Sequence, residues 1–152
     1  MGKHRAGTFI ARYFRTFPSL QRWLNLTKRE AARIGYVETI LGRRRYLPRL
    51  LPNSGVNAER RSRAEREAIN TPVQGSAADI MKLAMLKLHA RLLHDGYAAG
   101  MTLQVHDEVV LDCPIEEAEA VQDVVRQELS NAYEMRAPLA AEVGIGPNWD
   151  EA

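Results

Sequence analysis

The stretch Leu103-Gln104-Val105-His106-Asp107-Glu108-Val109-Val110-Leu111 decides how the chain is read. Two runs of β-type residues flank one imidazole and two carboxylates. Apolar runs have no use for such a group unless a turn carries it out of the core. Met101, Leu103 and Val105 alternate with Thr102, Gln104 and His106, the period-two pattern of a strand with one buried face. The second run, Val109 to Leu111, is apolar throughout and reads as lying inside a sheet. The expectation is a hairpin with Asp107 and Glu108 at its tip, where oxygen ligands suit a hard cation. Taken alone, an acidic turn is more often solvated decoration, so the surrounding chain has to decide.

At 152 residues the chain is long enough to bury a real core, and its 45% hydrophobic and 26% charged content is that of an ordinary globular protein. The single cysteine, Cys113, excludes an internal disulfide framework and suits a reducing compartment. No apolar run approaches the ~20 residues of a membrane span. The basic start Met1-Gly2-Lys3-His4-Arg5 is followed by no apolar signal core, so secretion is not expected.

The net charge of +2 conceals a division. Residues 1–66 hold 16 of the 21 Lys and Arg against 4 Glu, a balance of +12; residues 67–152 hold 5 bases against 15 acids, a balance of −10. A basic half suits a polyanion, and an acidic half has carboxylates to spare for metals. Arginine-rich helices that are merely well solvated remain the plain alternative.

From Phe9 to Ile34 the apolar residues fall at largely helical spacing, with Pro18 expected to start a second helix after Phe17 and Gly35 to cap it. Tyr36 to Leu41 reads as a strand, Gly42 as a turn, and Arg43, Arg44 and Arg45 follow as planar forks suited to phosphate. A solubilising charge cluster would look the same. Asn57 to Ile69 is helical and crowded with Arg60, Arg61, Arg63 and Arg66. Pro72 is read as an interruption, with Gln74-Gly75-Ser76 restarting a helix to about Leu93 whose Met81, Met85, Leu88 and Leu92 form a core stripe. Asp95-Gly96 closes it. After the hairpin, a helix is expected from Glu116 to about Tyr133 with Ala118, Val121, Val125 and Leu129 inward, then a strand from Leu139 to Ile145 and a terminal turn. The order of elements is that of an α+β fold with antiparallel pairing.

Three stretches together resemble one family: Tyr36-Val37-Glu38-Thr39-Ile40-Leu41-Gly42-Arg43-Arg44-Arg45, Asn70-Thr71-Pro72-Val73-Gln74-Gly75-Ser76-Ala77-Ala78-Asp79-Ile80, and the opening hairpin. The family is the family A DNA polymerases, of the bacterial DNA polymerase I type. The similarity runs in one order from about Phe9 to Trp149, with residues 1–8 unmatched, and covers the C-terminal palm and part of the fingers. The resemblance implies that Asp107 is a ligand of catalytic Mg2+, with Glu108 an auxiliary carboxylate. It places His106 and Gln104 near the primer end. It has Arg66, Asn70 and Gln74 reach the minor groove, where acceptors are nearly the same for every correct pair. Their i, i+4, i+8 spacing forms one face if the helix continues through Pro72; an Asn70 that caps a helix start is the alternative. Arg43, Arg44 and Arg45 would bind duplex phosphates.

The implied partners are primer-template DNA and a deoxynucleoside triphosphate, with no membrane, in the bacterial cytoplasm at the nucleoid. The chain departs from the family in two respects. The partner motif, an Asp followed by Tyr-Ser-Gln-Ile-Glu, has no counterpart, because the first aspartate in the sequence is Asp79. The fingers helix that holds the triphosphate is missing as well. The expectation is therefore half of a two-metal site, in a gene fragment or a split polypeptide whose N-terminal polymerase portion lies elsewhere. A non-catalytic DNA-binding module or an inactive fragment stands beside it.

Overall fold

The computed structural model describes residues 3–152. Helix α1 covers Lys3–Thr16 and α2 covers Pro18–Ile34. The break between them is one residue wide. Pro18 sits at the first position of α2, where its missing N–H costs nothing, and it holds Phe17 out of the helical region at φ −122°, ψ 66°. Gly35, left-handed at φ 82°, ends α2 and donates to the Ala31 carbonyl at 2.9 Å. Strands β1 (Tyr36–Glu38) and β2 (Arg44–Tyr46) form an antiparallel hairpin that pairs Tyr36 with Tyr46, Val37 with Arg45 and Glu38 with Arg44. The first strand stops short of Leu41. Thr39 N–H donates to the Arg43 carbonyl, Gly42 N–H donates to Thr39, and Gly42 takes φ 81°, so residues 39–43 close into a compact loop.

Helix α3 runs unbroken over Ala58–Asp95, 38 residues with Pro72 inside it. This corrects the expected interruption. A proline inside a helix removes one hydrogen bond and costs about 3 kcal/mol. Here the helix is pinned on both sides of the proline: Ala64 and Ala68 are buried before it, and Ala84, Leu88 and Leu92 after it. The continuity also removes the capping role for Asn70, which lies mid-helix. The true N-cap is Asn57, whose Oδ1 accepts the Arg60 N–H at 2.9 Å. At the other end Gly96 (φ 76°) and Tyr97 donate to the Leu93 and Leu92 carbonyls, a Schellman closure.

Strands β3 (Gly100–Val105) and β4 (Glu108–Asp112) make the second antiparallel hairpin. Its ladder pairs Met101 with Leu111 and then Leu103 with Val110, which leaves Thr102 as an extra residue. A bulge of one residue reverses the parity of the faces. Met101, before the extra residue, is half-buried and Leu103, after it and on the opposite face, is 47% exposed, against the simple alternation expected. Val109 to Leu111 are also only half-buried, because the sheet has two strands and one covered face. Helix α4 (Ala118–Ser130) is shorter than expected at both ends: turns fill the run from Pro114, and the Asn131 side chain bonds the Gln127 carbonyl at 2.9 Å. The strand expected at 139–145 does not form, since it finds no ladder partner among the described residues. Instead Val143 packs on the core and its carbonyl accepts from Gln122 Nε2 at 2.8 Å.

The chain divides into two compact units, Met1–Ser76 and Ala77–Ala152. The first is built on Ala31, Val37, Leu47, Leu50, Ala64 and Ala68, and the second on Leu88, Leu92, Ala99, Val121, Val124 and Val125. The charge division follows nearly the same line, because Glu67 is the only charged residue between 67 and 76. The first unit carries 16 bases against 5 acids and the second 5 against 14. The architecture is α+β with two small antiparallel hairpins. Among the described residues no helix is long and apolar enough to cross a membrane.

Candidate nucleic-acid interface and metal carboxylates

Two groups of expected site residues lie in the first unit. Arg66, Asn70 and Gln74 are all exposed and stand on one stripe of α3. Each four-residue step advances about 6 Å along the axis, so the three donors form a row. Arg66 Nη1 donates to Ser62 Oγ at 3.2 Å, one turn back. Asn70 and Gln74 also edge an open groove of about 360 Å3 lined by Tyr13, Phe14, Leu20, Trp23, Leu24, Ile69 and Val73.

The second group is the arginine tip. Arg43 reaches the Gly75 carbonyl with Nη2 at 3.2 Å. Arg44 donates from Nε to Glu38 Oε1 at 2.7 Å and lays its guanidinium 4.6 Å from the centre of the Tyr36 ring. Arg45 donates from Nη2 to Glu67 Oε2 at 3.2 Å. All three side chains are exposed, and each is held by a defined partner. Holding a long cationic side chain in one rotamer lowers the entropy lost when it meets a phosphate, but for Arg44 and Arg45 the phosphate must also displace a carboxylate. The residues that seat this tip were not singled out in the sequence: Thr39, Gly75 and Ser76. A glycine inside a helix costs about 1 kcal/mol relative to alanine, and that cost is the one signal that marks a close backbone approach there.

The third group lies in the second unit. Val105 pairs with Glu108, so the hairpin loop is two residues, His106 and Asp107. This refines the expected tip, because Glu108 is the first residue of β4 and not part of the turn. His106 takes φ 54°. A left-handed first loop position is normally glycine's, and a residue with a Cβ is strained there by about 1 kcal/mol or more. Gln104 Nε2 donates to the His106 carbonyl and braces the turn from below. His106, Asp107 and Glu108 are all exposed, and neither carboxylate makes an ion pair with a described residue.

Among the described residues no cluster of three or more His, Cys, Asp or Glu could hold a metal. Mg2+ binds through one or two carboxylates and fills its remaining positions with water and substrate phosphate. Asp107 with Glu108 beside it fits that modest requirement for one ion. The pair does not fit two ions bridged by carboxylates from separate strands.

A family model described as DNA polymerase family A matches residues 1–151. The chain belongs to DNA polymerase family A. It is 51% identical over 144 residues to "DNA polymerase I, thermostable" from Thermus aquaticus and 47% identical over 144 residues to "DNA polymerase I" from Deinococcus radiodurans, in each case over 95% of this chain. It spans only 17% and 14% of the length of those relatives. Among solved structures it is similar to the "POL domain of Pol1 from M. smegmatis complex with DNA primer-template and dNTP". That match has a TM-score of 0.92 and 37% identity, and covers 99% of this chain and 26% of that one. The family A resemblance read from the sequence is therefore correct, of the bacterial DNA polymerase I type, as is the α+β class of a polymerase-domain portion.

Proposed function

We propose that residues 9–152 are the C-terminal palm and fingers portion of a family A polymerase. In this reading they serve template-directed transfer of a nucleotide from a deoxynucleoside triphosphate to a primer 3′-hydroxyl, in bacterial DNA replication and repair at the nucleoid. The observation that carries the reading is the unbroken α3. It sets Arg66, Asn70 and Gln74 as an exposed donor row in the unit that also bears Arg43, Arg44 and Arg45. The M. smegmatis relative, a complex with DNA primer-template and dNTP, supports the same partners.

Each residue then has a task its chemistry suits. The arginine forks grip backbone phosphates without reading sequence. Arg66, Asn70 and Gln74 donate to minor-groove acceptors common to all correct pairs, so they test pair shape. His106 and Gln104 stand near the primer end, with Gln104 also holding the turn. Asp107, assisted by Glu108, is the ligand for Mg2+, which when bound supplies Lewis-acid stabilisation of the charge on the α-phosphate and the leaving pyrophosphate. Among the described residues no further His, Cys, Asp or Glu joins this pair in a metal-binding cluster, so in this reading the second bridging carboxylate is supplied from outside them.

Primer extension with Mg2+ and the four triphosphates tests the reading, first with the chain alone and then with the N-terminal polymerase portion of a relative added. We expect no extension by the chain alone and extension by the mixture. In the active mixture Asp107→Ala should lower the rate about a hundredfold or more, the scale of losing a metal ligand. Extension by the chain alone would overturn the half-site, and full activity of the variant would refute Asp107 as a ligand. A second reading is a non-catalytic duplex-binding module, which would use the arginine tip and the donor row of α3 without Asp107. Salt-sensitive duplex binding with no extension in the mixture would select it.

A further inference from the structure

The arginine tip does not merely neighbour α3; a single turn of the loop is seated on a single turn of the helix. The Ser76 hydroxyl makes two hydrogen bonds at once, donating to the Pro72 carbonyl and accepting the Ile40 N–H at 2.8 Å. Only a hydroxyl can be donor and acceptor in that place. Thr39, 6% exposed, accepts the Arg43 N–H on Oγ1 at 3.1 Å, while its own N–H donates to the Arg43 carbonyl. Its methyl lies so close to Gly75 that a Cβ added there would stand 2.8 Å from Thr39 Cγ2. Arg43 completes the seat by donating to the Gly75 carbonyl. Gln74 adjoins Gly75 in the chain, and Arg44 and Arg45 follow Arg43, so this seat joins both groups of the proposed DNA interface.

We propose that Thr39, Gly75 and Ser76 are positioning residues that fix the register between the phosphate-gripping arginines and the minor-groove donors, so that both engage one duplex together. The inference rests on the duplex-binding reading above and adds the device that sets its geometry. Glycine at position 75 is then required by the approach of Thr39, in spite of its poor fit to a helix. Threonine at 76 should serve as well as serine, and alanine should not.

The test measures affinity for a primer-template duplex against salt concentration, with folding checked by circular dichroism and Ile40 amide exchange followed by NMR. Variants are Ser76→Ala, Ser76→Thr, Gly75→Ala, and Gly75→Ala combined with Thr39→Ser, which removes the obstructing methyl. Ser76→Ala and Gly75→Ala should each weaken binding about tenfold. They should also flatten the log–log salt slope by about 1 to 2, the loss of one or two phosphate contacts at ~0.9 each. Ser76→Thr and the double variant should recover most of the slope. Faster Ile40 exchange with an unchanged affinity and slope would overturn the positioning role. Should Gly75→Ala fail to fold, Ser76→Ala decides alone, because Ile40 is exposed and its amide can be hydrated. A wild-type chain with no salt-dependent duplex binding would sink the functional reading itself, and this inference with it.

Discussion

Arg45 of the hairpin and Glu67 of α3 are joined at 3.2 Å, and the same carboxylate receives Arg63 at 3.4 Å. A single glutamate thus holds two guanidiniums in the basic unit, and it competes with any phosphate for them.

Glu67→Gln should release both arginines. Exposed ion pairs are worth about 0–1 kcal/mol, so the melting temperature should move little. Duplex affinity at low salt should rise several-fold and the salt slope should steepen by about 1, at ~0.9 per added phosphate contact. Fluorescence anisotropy at a series of salt concentrations measures both, and an unchanged slope would show that Glu67 withholds neither guanidinium from DNA.

Asn70→Ala and Gln74→Ala should each weaken primer-template binding about 3- to 10-fold, the worth of one or two hydrogen bonds. The loss should be alike for A·T and G·C pairs at the primer end, because both present acceptors in the minor groove. Titrating duplexes that differ only at that pair checks this; a loss confined to one pair would mean base reading.

His106→Gly should stabilise the chain by about 1 kcal/mol, since glycine adopts the left-handed position without a Cβ clash. Urea unfolding of the two proteins gives the difference. Equal or lower stability in the glycine variant would mean that imidazole contacts outweigh the backbone strain.

Asp95 ends α3 with its carboxyl held below the usual range, first by the hydrogen bond from Arg91 and then by that from His94. The ionised form is the one the fold favours. The stabilisation is therefore complete above the ordinary value of 3.8 and is lost as pH falls through the lower folded value. Asp95→Asn should unfold at lower urea than wild type at pH 7, and the two curves should converge below about pH 3. A gap that persists in acid would assign the effect to packing.

Much of the fold is legible where one residue has a single good use. Pro18, Gly35, Gly42 and Gly96 each sit where their backbone freedom, or lack of it, decides the conformation, and the helical stripes around Leu88 and Val121 announce the core of the second unit. The misses share a cause, a local signal outweighed by contacts distant in sequence. Pro72 argues for a break, yet buried alanines before it and leucines after it keep the helix whole. The alternation of β3 is sound up to the extra residue at Thr102. Residues 139–145 have strand character without a partner. At the site, the donor row follows from spacing once the helix is continuous. The seating of Thr39 on Gly75 depends on two backbones meeting across 36 positions and leaves only a lone helical glycine as its trace.

The left-handed histidine at the hairpin tip also bears on laboratory evolution. A library selected for heat resistance would be rewarded for glycine at 106, which relieves the backbone and deletes the imidazole beside Asp107. A library selected for DNA synthesis should keep the strained residue and gather its compensating gains elsewhere in the chain. Sequencing position 106 after each regime would show whether the imidazole is retained for work or tolerated by accident.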